Sequence, residues 1–286
     1  MTITITTSNV NGIRAAKRKG IEQWAAKNTP DVWCMQEVRA PQNEIDPIFD
    51  EFGFEYATAG RIADQSGLDR MNEICRIKGR AGVGLLSALP VIDKRYGLPG
   101  LAEDVDSGRW IEADVKTPQG YTVTVVCVYV HAGNTDDPEK MKQKYRFLDT
   151  MLVRMGQLRD EAAHGGKQAV LCGDFNIPHT PLDIKNAKAN EKHAGFLPEE
   201  RAYVDKWLGE LEFVDVMRSL CGDIQGPYTW WSQRGRAFDN NVGWRIDYQF
   251  ATPELAETAR GFVIDKAPTY DLRWSDHAPL SITYDV

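Results

Sequence analysis

The sequence predicts an α/β protein in which helices cover β-sheets. Short apolar segments rich in β-branched residues recur along the chain, and several are too apolar to have one exposed face, so they indicate buried strands. The predicted strands are residues 3–10, 31–36, 81–87, 122–130, 168–175, 245–252 and 279–286. Helical patterns lie between them, over 14–27 and 139–163. This alternation of the two patterns favours the α/β class.

Two segments suggest that the protein has two similar halves. The runs ITTSNVNG and LCGDFNIP each end a strand with a polar residue, an apolar residue and an asparagine. We therefore expect two sheets packed face to face. No linker of low complexity divides the 286 residues, so we expect a single domain over residues 1–286. Segments 59–80 and 178–198 are polar, and the second is predicted to be a long loop.

Composition indicates a soluble, cytoplasmic protein without a membrane anchor. The amino terminus alternates Thr and Ile and lacks the basic and apolar regions of a signal peptide. No segment approaches the ~18 apolar residues of a membrane span. The five cysteines are widely spaced without a metal-binding pattern, and Cys34, Cys127 and Cys172 lie in apolar runs. We expect reduced thiols and no zinc site.

The net charge of −7 argues against nucleic acid as a partner, because phosphate binding requires Lys and Arg. An acidic active site lowers the net charge, however, and a basic face can coexist with acidic regions elsewhere. Basic residues do cluster locally, although each cluster is equally consistent with a solvated surface. These clusters comprise residues 14–19, residues 185–192, and the arginines Arg234, Arg236 and Arg245. Composition alone leaves the partner open.

The informative pattern is that predicted strands end in groups that bind metal or phosphate. These groups are Asn9, Asn11, Glu37, Tyr129, His131, Asp174, Asn176, Asp247, Asp276 and His277. A sheet whose strand ends converge would collect them at one rim, where α/β folds bind ligands. Taken singly, most have an ordinary explanation: Asp174 suits an Asx turn, and a lone Glu37 suits a solvated strand end. Asp247 lies between apolar neighbours and requires a partner if buried.

Taken together, these groups match the requirements of phosphodiester hydrolysis. Carboxylates such as Glu37 are hard oxygen ligands that suit Mg²⁺, and the ion would offset charge on the phosphate and the departing oxygen. A His–carboxylate pair and a second Asp supply acid–base groups, while Asn and Tyr donors can hold phosphate oxygens. The residues therefore indicate a metal-dependent phosphodiesterase.

Six motifs carry a resemblance to a known family. SNVNGIR, MQEVR, GVGLLS, CGDFNIP, GWRIDY and SDHAP occur in this order across nearly the whole chain. Together they resemble the exonuclease III family of DNA repair nucleases, within the endonuclease/exonuclease/phosphatase superfamily. The resemblance implies a four-layer α/β sandwich with two facing mixed sheets flanked by helices. It also implies a monomeric, Mg²⁺-dependent enzyme, with Mn²⁺ able to substitute, that needs no obligate protein partner.

The resemblance also implies an activity and roles for the strand-end residues. The expected reaction is cleavage of double-stranded DNA 5′ to an abasic site, with 3′→5′ exonuclease and 3′-phosphatase activity on 3′-blocked ends as possible additions. The implied metal ligands are Glu37, Asn11 and Asp276. The implied catalytic residues are His277, Asp247 as its orienting carboxylate, Asp174 for the attacking water or the leaving oxygen, Asn176 and Tyr129 for the phosphate, and Asn9 as the catalytic amide.

Two further segments narrow the substrate class within the superfamily. Residues 183–196, here called the substrate loop, resemble the DNA-contacting loop of abasic endonucleases, with Asn186, Lys188 and Asn190 as contacts. Residues around YTWW and GWRID resemble the abasic-sugar pocket, with walls at Trp230, Trp244 and Ile246. Core packing is the simpler explanation for Trp231.

The chain departs from the family pattern at several positions. His131 and Ala132 stand where Pro and a polar residue are usual, His193 replaces an expected Asn and Ala187 an expected Pro, and segment 59–80 is long. These departures leave substrate preference open. A superfamily phosphodiesterase acting on a small-molecule or lipid phosphate and an inactive DNA-binding module remain as alternatives. The complete set of catalytic groups argues against the inactive module.

Overall fold

The computed structural model describes residues 1–58, 69–73, 79–101 and 108–286, and it describes their side chains except those of 53–58 and 69–73. Within these ranges the strands, in chain order, are β1 (Thr2–Asn9), β2 (Val32–Gln36), β3 (Asp69–Glu73), β4 (Val83–Ser87), β5 (Val91–Tyr96), β6 (Trp110–Lys116), β7 (Thr122–Tyr129), β8 (Gln168–Asp174), β9 (Val214–Asp215), β10 (Trp230–Trp231), β11 (Gly243–Trp244), β12 (Asp247–Ala251), β13 (Ala259–Ile264) and β14 (Leu280–Asp285).

Eight α-helices lie between these strands in the described part of the chain. They are α1 (Ile13–Arg18), α2 (Ile21–Asn28), α3 (Gln42–Thr58), α4 (Pro138–Ala163), α5 (Ala187–Asn190), α6 (Pro198–Gly209), α7 (Val216–Cys221) and α8 (Pro253–Ala256). Short 3₁₀ turns cover Pro181–Asp183 and Tyr270–Leu272. No helix among the described residues is both long enough and apolar enough to cross a bilayer.

The strands form two six-stranded mixed sheets. The first has the order β13-β14-β1-β2-β4-β3 and the second β5-β6-β7-β8-β12-β9, while β10 and β11 pair separately. In the first sheet β1 runs parallel to β2, and in the second β7 runs parallel to β8; the other pairs are antiparallel. Each sheet therefore has one parallel pair at its centre.

Three apolar cores hold the layers together. The central core lies between the sheets, where Ile5 and Cys34 of the first share a cluster with Val125 of the second. A second core packs α4 and α6 on the outer face of the second sheet, and a third packs α1, α2 and α3 on the outer face of the first. The predicted α/β sandwich with helices outside is confirmed.

Strand β7 shows why the predicted strands read as continuous apolar runs. Successive side chains point to opposite faces of a sheet. Val125 and Cys127 therefore enter the central core, whereas Val126 and Val128 enter the outer core under α4. Both faces are buried, so no polar alternation appears in the sequence.

The structure corrects two predicted elements. The helix expected over 14–27 is two helices, because the chain breaks at Lys19 and Gly20, where Gly20 has a φ of 95° that favours glycine. The loop expected over 178–198 contains the 3₁₀ turn and α5. In segment 59–80, residues 69–73 form β3 and residues 59–68 and 74–78 lie outside the described ranges.

The cysteines behave as predicted where they are described. Cys34, Cys127 and Cys172 are free and buried between the sheets, and Cys221 is free and half-buried. Burial raises the pKa of the Cys34 and Cys127 thiols well above the ordinary value, so both stay protonated. Cys75 lies outside the described residues.

Gly173 offers a test of this close packing. A Cβ built there would overlap the backbone carbonyl oxygen of Val128 on the neighbouring strand. We expect Gly173→Ala to lower the free energy of unfolding by about 1–3 kcal/mol, because only backbone movement relieves the overlap. Urea denaturation measures the change. Gly209→Ala is the matched control, since that Cβ would meet nothing within 4 Å and alanine favours a helix. Equal losses in both variants would contradict this packing.

Candidate active site

The predicted site residues meet at one rim because of the strand order. Asn9, Tyr129 and Asp174 are the last residues of β1, β7 and β8, and Glu37 directly follows β2. The carboxyl ends of parallel strands lie at the same edge of a sheet. Asp247 begins β12, which runs antiparallel to β8 with Asp247 opposite Asp174. Both sheets therefore contribute to one buried cluster.

The side-chain amide of Asn9 connects the two sheets within this cluster. Its Nδ2 donates to Glu37 Oε1 at 3.0 Å and to Asp174 Oδ2 at 2.9 Å, so each amide hydrogen has an acceptor. The Tyr129 hydroxyl donates to the same Glu37 oxygen at 2.7 Å. Burial and the negative charge of Asp174 raise the pKa of Tyr129 to about 12, which keeps the hydroxyl a donor.

His277 lies between two buried aspartates. Its Nδ1 is 2.9 Å from Asp247 Oδ2 and its Nε2 is 3.7 Å from Asp174 Oδ2. Burial alone would lower the histidine pKa, but the charges of Asp247 and Asp174 outweigh it and raise the pKa to about 9. The Asp174 pKa rises to about 7, because burial and Asp247 outweigh the opposing charge of His277. At neutral pH the imidazole is therefore protonated, and Asp174 is the group that titrates.

Four residues of the rim have a left-handed backbone. Asn11, Glu37, Arg39 and Asn176 have φ angles of 46°, 54°, 52° and 51°. Such angles are uncommon outside glycine and concentrate where function fixes the backbone. Two Asx turns accompany them: the Asn11 N–H donates to Asn9 Oδ1 at 2.9 Å, and the Asn176 N–H donates to Asp174 Oδ1 at 3.0 Å. The turn geometry thus also fixes the orientation of Asn9 and Asp174.

The three predicted metal ligands lie along one chain of contacts. Asn11 Nδ2 donates to Asp276 Oδ1 at 2.7 Å, and Arg39 donates to Asn11 Oδ1 at 2.8 Å while pairing with the Glu37 carboxylate. The guanidinium of Arg39 thus places a positive charge between Glu37 and Asn11. All the ligand atoms are hard oxygens, so the donor set fits Mg²⁺ or a similar cation.

The ionised state of Asp276 also suits a metal ligand. Burial would raise its pKa, but the charge of His277 and hydrogen bonds from Trp230 and Asn11 lower it below the ordinary value. Trp230 Nε1 donates to Asp276 Oδ2 at 3.2 Å. Asp276 therefore remains a carboxylate at neutral pH.

A second group in the site has metal-ligand spacing. Ligand-type atoms of Asp174, Asp247 and His277 lie within 4.8 Å of one another. The trio could therefore also hold a metal ion. We call Asp174, Asp247 and His277 the acid–base group, after the roles that the family resemblance implies for them.

The predicted pocket walls lie beside the acid–base group. Trp230 and Trp244 pair across β10 and β11 with ring centroids 5.4 Å apart, and Trp230 is 6.4 Å from the His277 ring. Both tryptophans are half-buried, whereas Ile246 is 3% exposed. Trp231 packs with Phe238 in an apolar cluster, as expected of a core residue.

The substrate loop starts at buried Asp183 and Ile184, crosses the surface and ends against Trp244. Asn186 and Lys188 are exposed, and Asn190 Nδ2 donates to the Asn186 carbonyl at 3.0 Å, so the three predicted contacts share the turn of α5. At the other end, a Cβ on Gly195 would lie 2.9 Å from Trp244 Cζ3. The loop therefore packs directly on one pocket wall.

The family model described as Endonuclease/Exonuclease/phosphatase matches residues 6–277. The chain belongs to this family. It is 29% identical over 279 residues to an exodeoxyribonuclease of Bacillus subtilis (strain 168), covering 97% of this chain and 98% of that one. An AP endonuclease structure from Archaeoglobus fulgidus superposes with a TM-score of 0.81 at 29% identity, covering 99% and 100% of the chains.

A third similar protein has been solved with DNA. It is a 3′ phosphatase from Neisseria bound to a product DNA hairpin, with a TM-score of 0.81, 26% identity and coverage of 99% and 100%. These relatives confirm that the sequence motifs identify a nuclease of the Endonuclease/Exonuclease/phosphatase family.

Some site residues of this family member were not assigned a role from sequence. Arg39 belongs to the MQEVR motif, but nothing in a lone Arg indicated that it pairs with Glu37. The Arg109 guanidinium lies 4.6 Å from the Tyr129 ring centre, and no motif marked it. Thr229 Oγ1 accepts from the Asp247 N–H at 3.1 Å, and Ser275 Oγ donates to the Asn9 carbonyl at 2.6 Å.

Asn176 and the two histidines that depart from the family pattern have the following surroundings. Asn176 Nδ2 donates one hydrogen to the Val130 carbonyl at 3.0 Å. His131, in place of the usual proline, is buried with its ring 5.5 Å from Phe147. His193 is exposed on the substrate loop.

The raised pKa of Asp174 makes the stability of the protein depend on pH. The folded value of about 7 lies above the ordinary 3.8, so the unfolded chain releases this proton while the folded protein still holds it. Wild type therefore loses stability as pH rises through this range. Asp174→Asn has no such proton. We therefore expect its free energy of unfolding, relative to that of wild type, to rise by about 1 kcal/mol per pH unit between about pH 4.5 and 6.

Urea denaturation at several pH values, in a chelator, measures this difference. His277 does not interfere, because below about pH 6 its imidazole is protonated in both the folded and the unfolded state. A difference between variant and wild type that stays constant with pH would contradict the assignment.

Proposed function

We propose that the protein hydrolyses double-stranded DNA on the 5′ side of an abasic site and leaves a 3′-hydroxyl. The observation that carries the proposal is a half-buried tryptophan pair beside the acid–base group: Trp230 lies 5.4 Å from the Trp244 ring and 6.4 Å from the His277 ring, and it donates to Asp276. Walls of this kind would select an extrahelical nucleotide by shape, and a site without a base is cheap to extrude.

The relatives support DNA as the substrate class. Their names describe an exodeoxyribonuclease, an AP endonuclease and a 3′ phosphatase bound to a DNA hairpin. Cleavage 5′ to an abasic site, 3′→5′ exonuclease activity and 3′-phosphatase activity would each break a bond between phosphorus and a 3′ oxygen. We therefore include 3′→5′ exonuclease and 3′-phosphatase activity on 3′-blocked ends as further reactions of the same site.

In the proposed reaction, water attacks phosphorus, the bond to the 3′ oxygen breaks, and the departing oxygen takes a proton from solvent to become the 3′-hydroxyl. Asp174 takes the proton from water, because it titrates near neutral pH whereas His277 already holds a proton. The His277 cation stabilises negative charge on the phosphate, and Asp247 keeps the ring in position. Asn9 holds Asp174 through its 2.9 Å hydrogen bond.

We propose that Asn176 holds a phosphate oxygen, that Tyr129 does so once its hydroxyl turns away from Glu37, and that Glu37, Asn11 and Asp276 would hold Mg²⁺ or Mn²⁺. The bound ion would neutralise charge on the phosphate and on the 3′ oxygen as it departs. Arg39 is the one described guanidinium that contacts both Glu37 and Asn11, so we expect it to move towards the phosphate when a metal binds.

The activity can be tested on a labelled duplex with one abasic analogue. We expect Mg²⁺-dependent incision with a 3′-hydroxyl product, and no incision after exhaustive chelation, because the site offers oxygen ligands and no thiolates. Gel analysis of both product ends gives the position of the cut. Activity on inositol or lipid phosphates without activity on the duplex would favour the small-substrate alternative.

Asp247→Asn tests the role of the orienting carboxylate. The variant keeps the shape of the side chain but removes the charge that holds the His277 proton. We expect turnover to fall by about 10²-fold or more, with a much smaller change in DNA affinity. Single-turnover kinetics and a binding titration separate the two. Turnover near that of wild type would remove the Asp247–His277 pair from the mechanism.

Trp230→Ala tests the pocket. Because the variant loses this wall, the proposed pocket should widen. The rate of abasic incision should fall, and the rate of cleavage at intact or bulkier nucleotides should rise relative to the rate at abasic sites. Trp231→Ala is the matched control: it opens the neighbouring core and should cost about 3–5 kcal/mol of stability without changing selectivity. Melting temperature and the ratio of abasic to undamaged cleavage are measured together. An unchanged ratio in Trp230→Ala would exclude the pocket assignment.

A further inference from the structure

We propose that the buried ion pair between Lys144 and Glu200 is a positioning device that fixes the end of the substrate loop between the phosphate-binding turn and the tryptophan pocket. The inference rests on the proposed function, because the loop is taken to contact DNA. It assigns to two residues outside the catalytic cluster a role in how tightly and how selectively substrate is bound.

The pair is fully enclosed by protein. Lys144 on α4 and Glu200 on α6 both have 0% exposed side chains, with Nζ and Oε1 2.5 Å apart. Burial lowers the Lys144 pKa, and the negative charge of Glu200 acts in the opposite direction. A buried ion pair adds little stability over an apolar pair of the same volume. Its contacts, rather than its net stability, therefore indicate its purpose.

On one side the pair holds the turns that carry catalytic residues. Lys144 Nζ donates to the carbonyl oxygens of Ala132 at 3.2 Å and Asn176 at 3.1 Å. Ala132 follows the end of β7, and Asn176 is two residues beyond Asp174 at the end of β8. The third contact of the ammonium group is its ion pair with Glu200.

On the other side the pair holds the substrate loop. Glu200 Oε2 accepts from the backbone N–H of Gly195 at 2.6 Å and of Leu197 at 3.0 Å. Gly195 has a φ of +98°, and a Cβ there would lie 2.9 Å from Trp244 Cζ3 and 3.2 Å from the Asn176 carbonyl oxygen. The loop end is thus clamped between a pocket wall and the turn after Asp174.

A continuous set of contacts therefore runs from Asn176 through Lys144 and Glu200 to Gly195 and Trp244. Loosening it would leave the cluster around His277 in place, since neither charged residue contacts the imidazole. It would free the loop that presents Lys188 and Lys192, which are exposed cations. The expected consequence is weaker binding and poorer selection of the abasic site, with a smaller effect on the chemical step.

The test compares Lys144→Met with Arg154→Met. Arg154 lies on the same helix and pairs with buried Glu112 at 2.7 Å, but it contacts neither the loop nor the rim turns. On the abasic duplex we expect Lys144→Met to lower kcat/KM roughly ten- to a hundredfold, mainly through KM, and to reduce the salt dependence of binding because fewer loop cations reach phosphates. Arg154→Met should change neither. Equal kinetic changes in both variants would overturn the proposal.

Amide exchange provides a readout that needs no substrate. In Lys144→Met the Gly195 and Leu197 amides should exchange at least about tenfold faster than in wild type and in Arg154→Met. If the wild-type protein does not incise abasic DNA, the proposed function is wrong. The amide-exchange rates of Gly195 and Leu197 would still show whether the ion pair positions the loop. Unchanged protection would reject that role.

A second variant guards against misfolding. If Lys144→Met does not fold, the double variant Lys144→Met/Glu200→Gln removes both charges and retains an oxygen for the two amides. It should show the KM defect, because the contacts to Ala132 and Asn176 are lost. Wild-type KM and selectivity in the double variant would also overturn the proposal.

Discussion

His277 lies 2.9 Å from Asp247 and 3.7 Å from Asp174, and its positive charge allows these buried carboxylates to share one cleft. Both aspartates are at most 1% exposed. Ionised groups in such surroundings are costly unless they are paired. Asp276, next in the chain, is kept ionised in part by the same imidazolium. The imidazolium thus lowers the pKa of both Asp174 and Asp276.

The fold produces this arrangement by register. β8 and β12 pair so that Asp247 lies opposite Asp174, and the bridge between Trp230 and His277 brings the histidine to the same edge. The first sheet supplies Glu37 from the end of β2 and Asn9 from the end of β1. Asn9 then joins the two sheets through one amide group. The proposed oxygen ligands therefore lie largely on one sheet and the two carboxylates proposed to act with His277 lie on the other.

Much of this was predictable because the strands at the centre of each sheet are apolar on both faces. Their ends, marked by Asn9, Glu37, Tyr129 and Asp174, were therefore visible as the points where polar groups begin. The edge strand β5 was not predicted, because it is exposed along much of its length and its sequence, VIDKRY, is therefore largely polar. Gly20 indicates the helix break, but the helical periodicity on both sides of it favoured one continuous helix.

The contacts of Lys144 and Arg39 could not be predicted from the sequence, and the physical reason is the same for both. Lys144 occurs in the run KMKQKYRF, where a lysine has the pattern of a solvated helix face. Only the docking of α6 on α4 encloses it with Glu200. Arg39 likewise finds Glu37 and Asn11 only because left-handed backbone angles turn the chain after β2. Contacts made by tertiary packing leave no periodic trace in the sequence.

The protonation of His277 can be measured directly by ¹⁵N NMR of its imidazole in metal-free protein. The account predicts that both ring nitrogens carry protons at pH about 7, that the ring titrates with a pKa of about 9, and that Asp247→Asn lowers this value. A wild-type ring that is neutral at pH about 7, or that titrates at or below its ordinary pKa of 6.5, would contradict it.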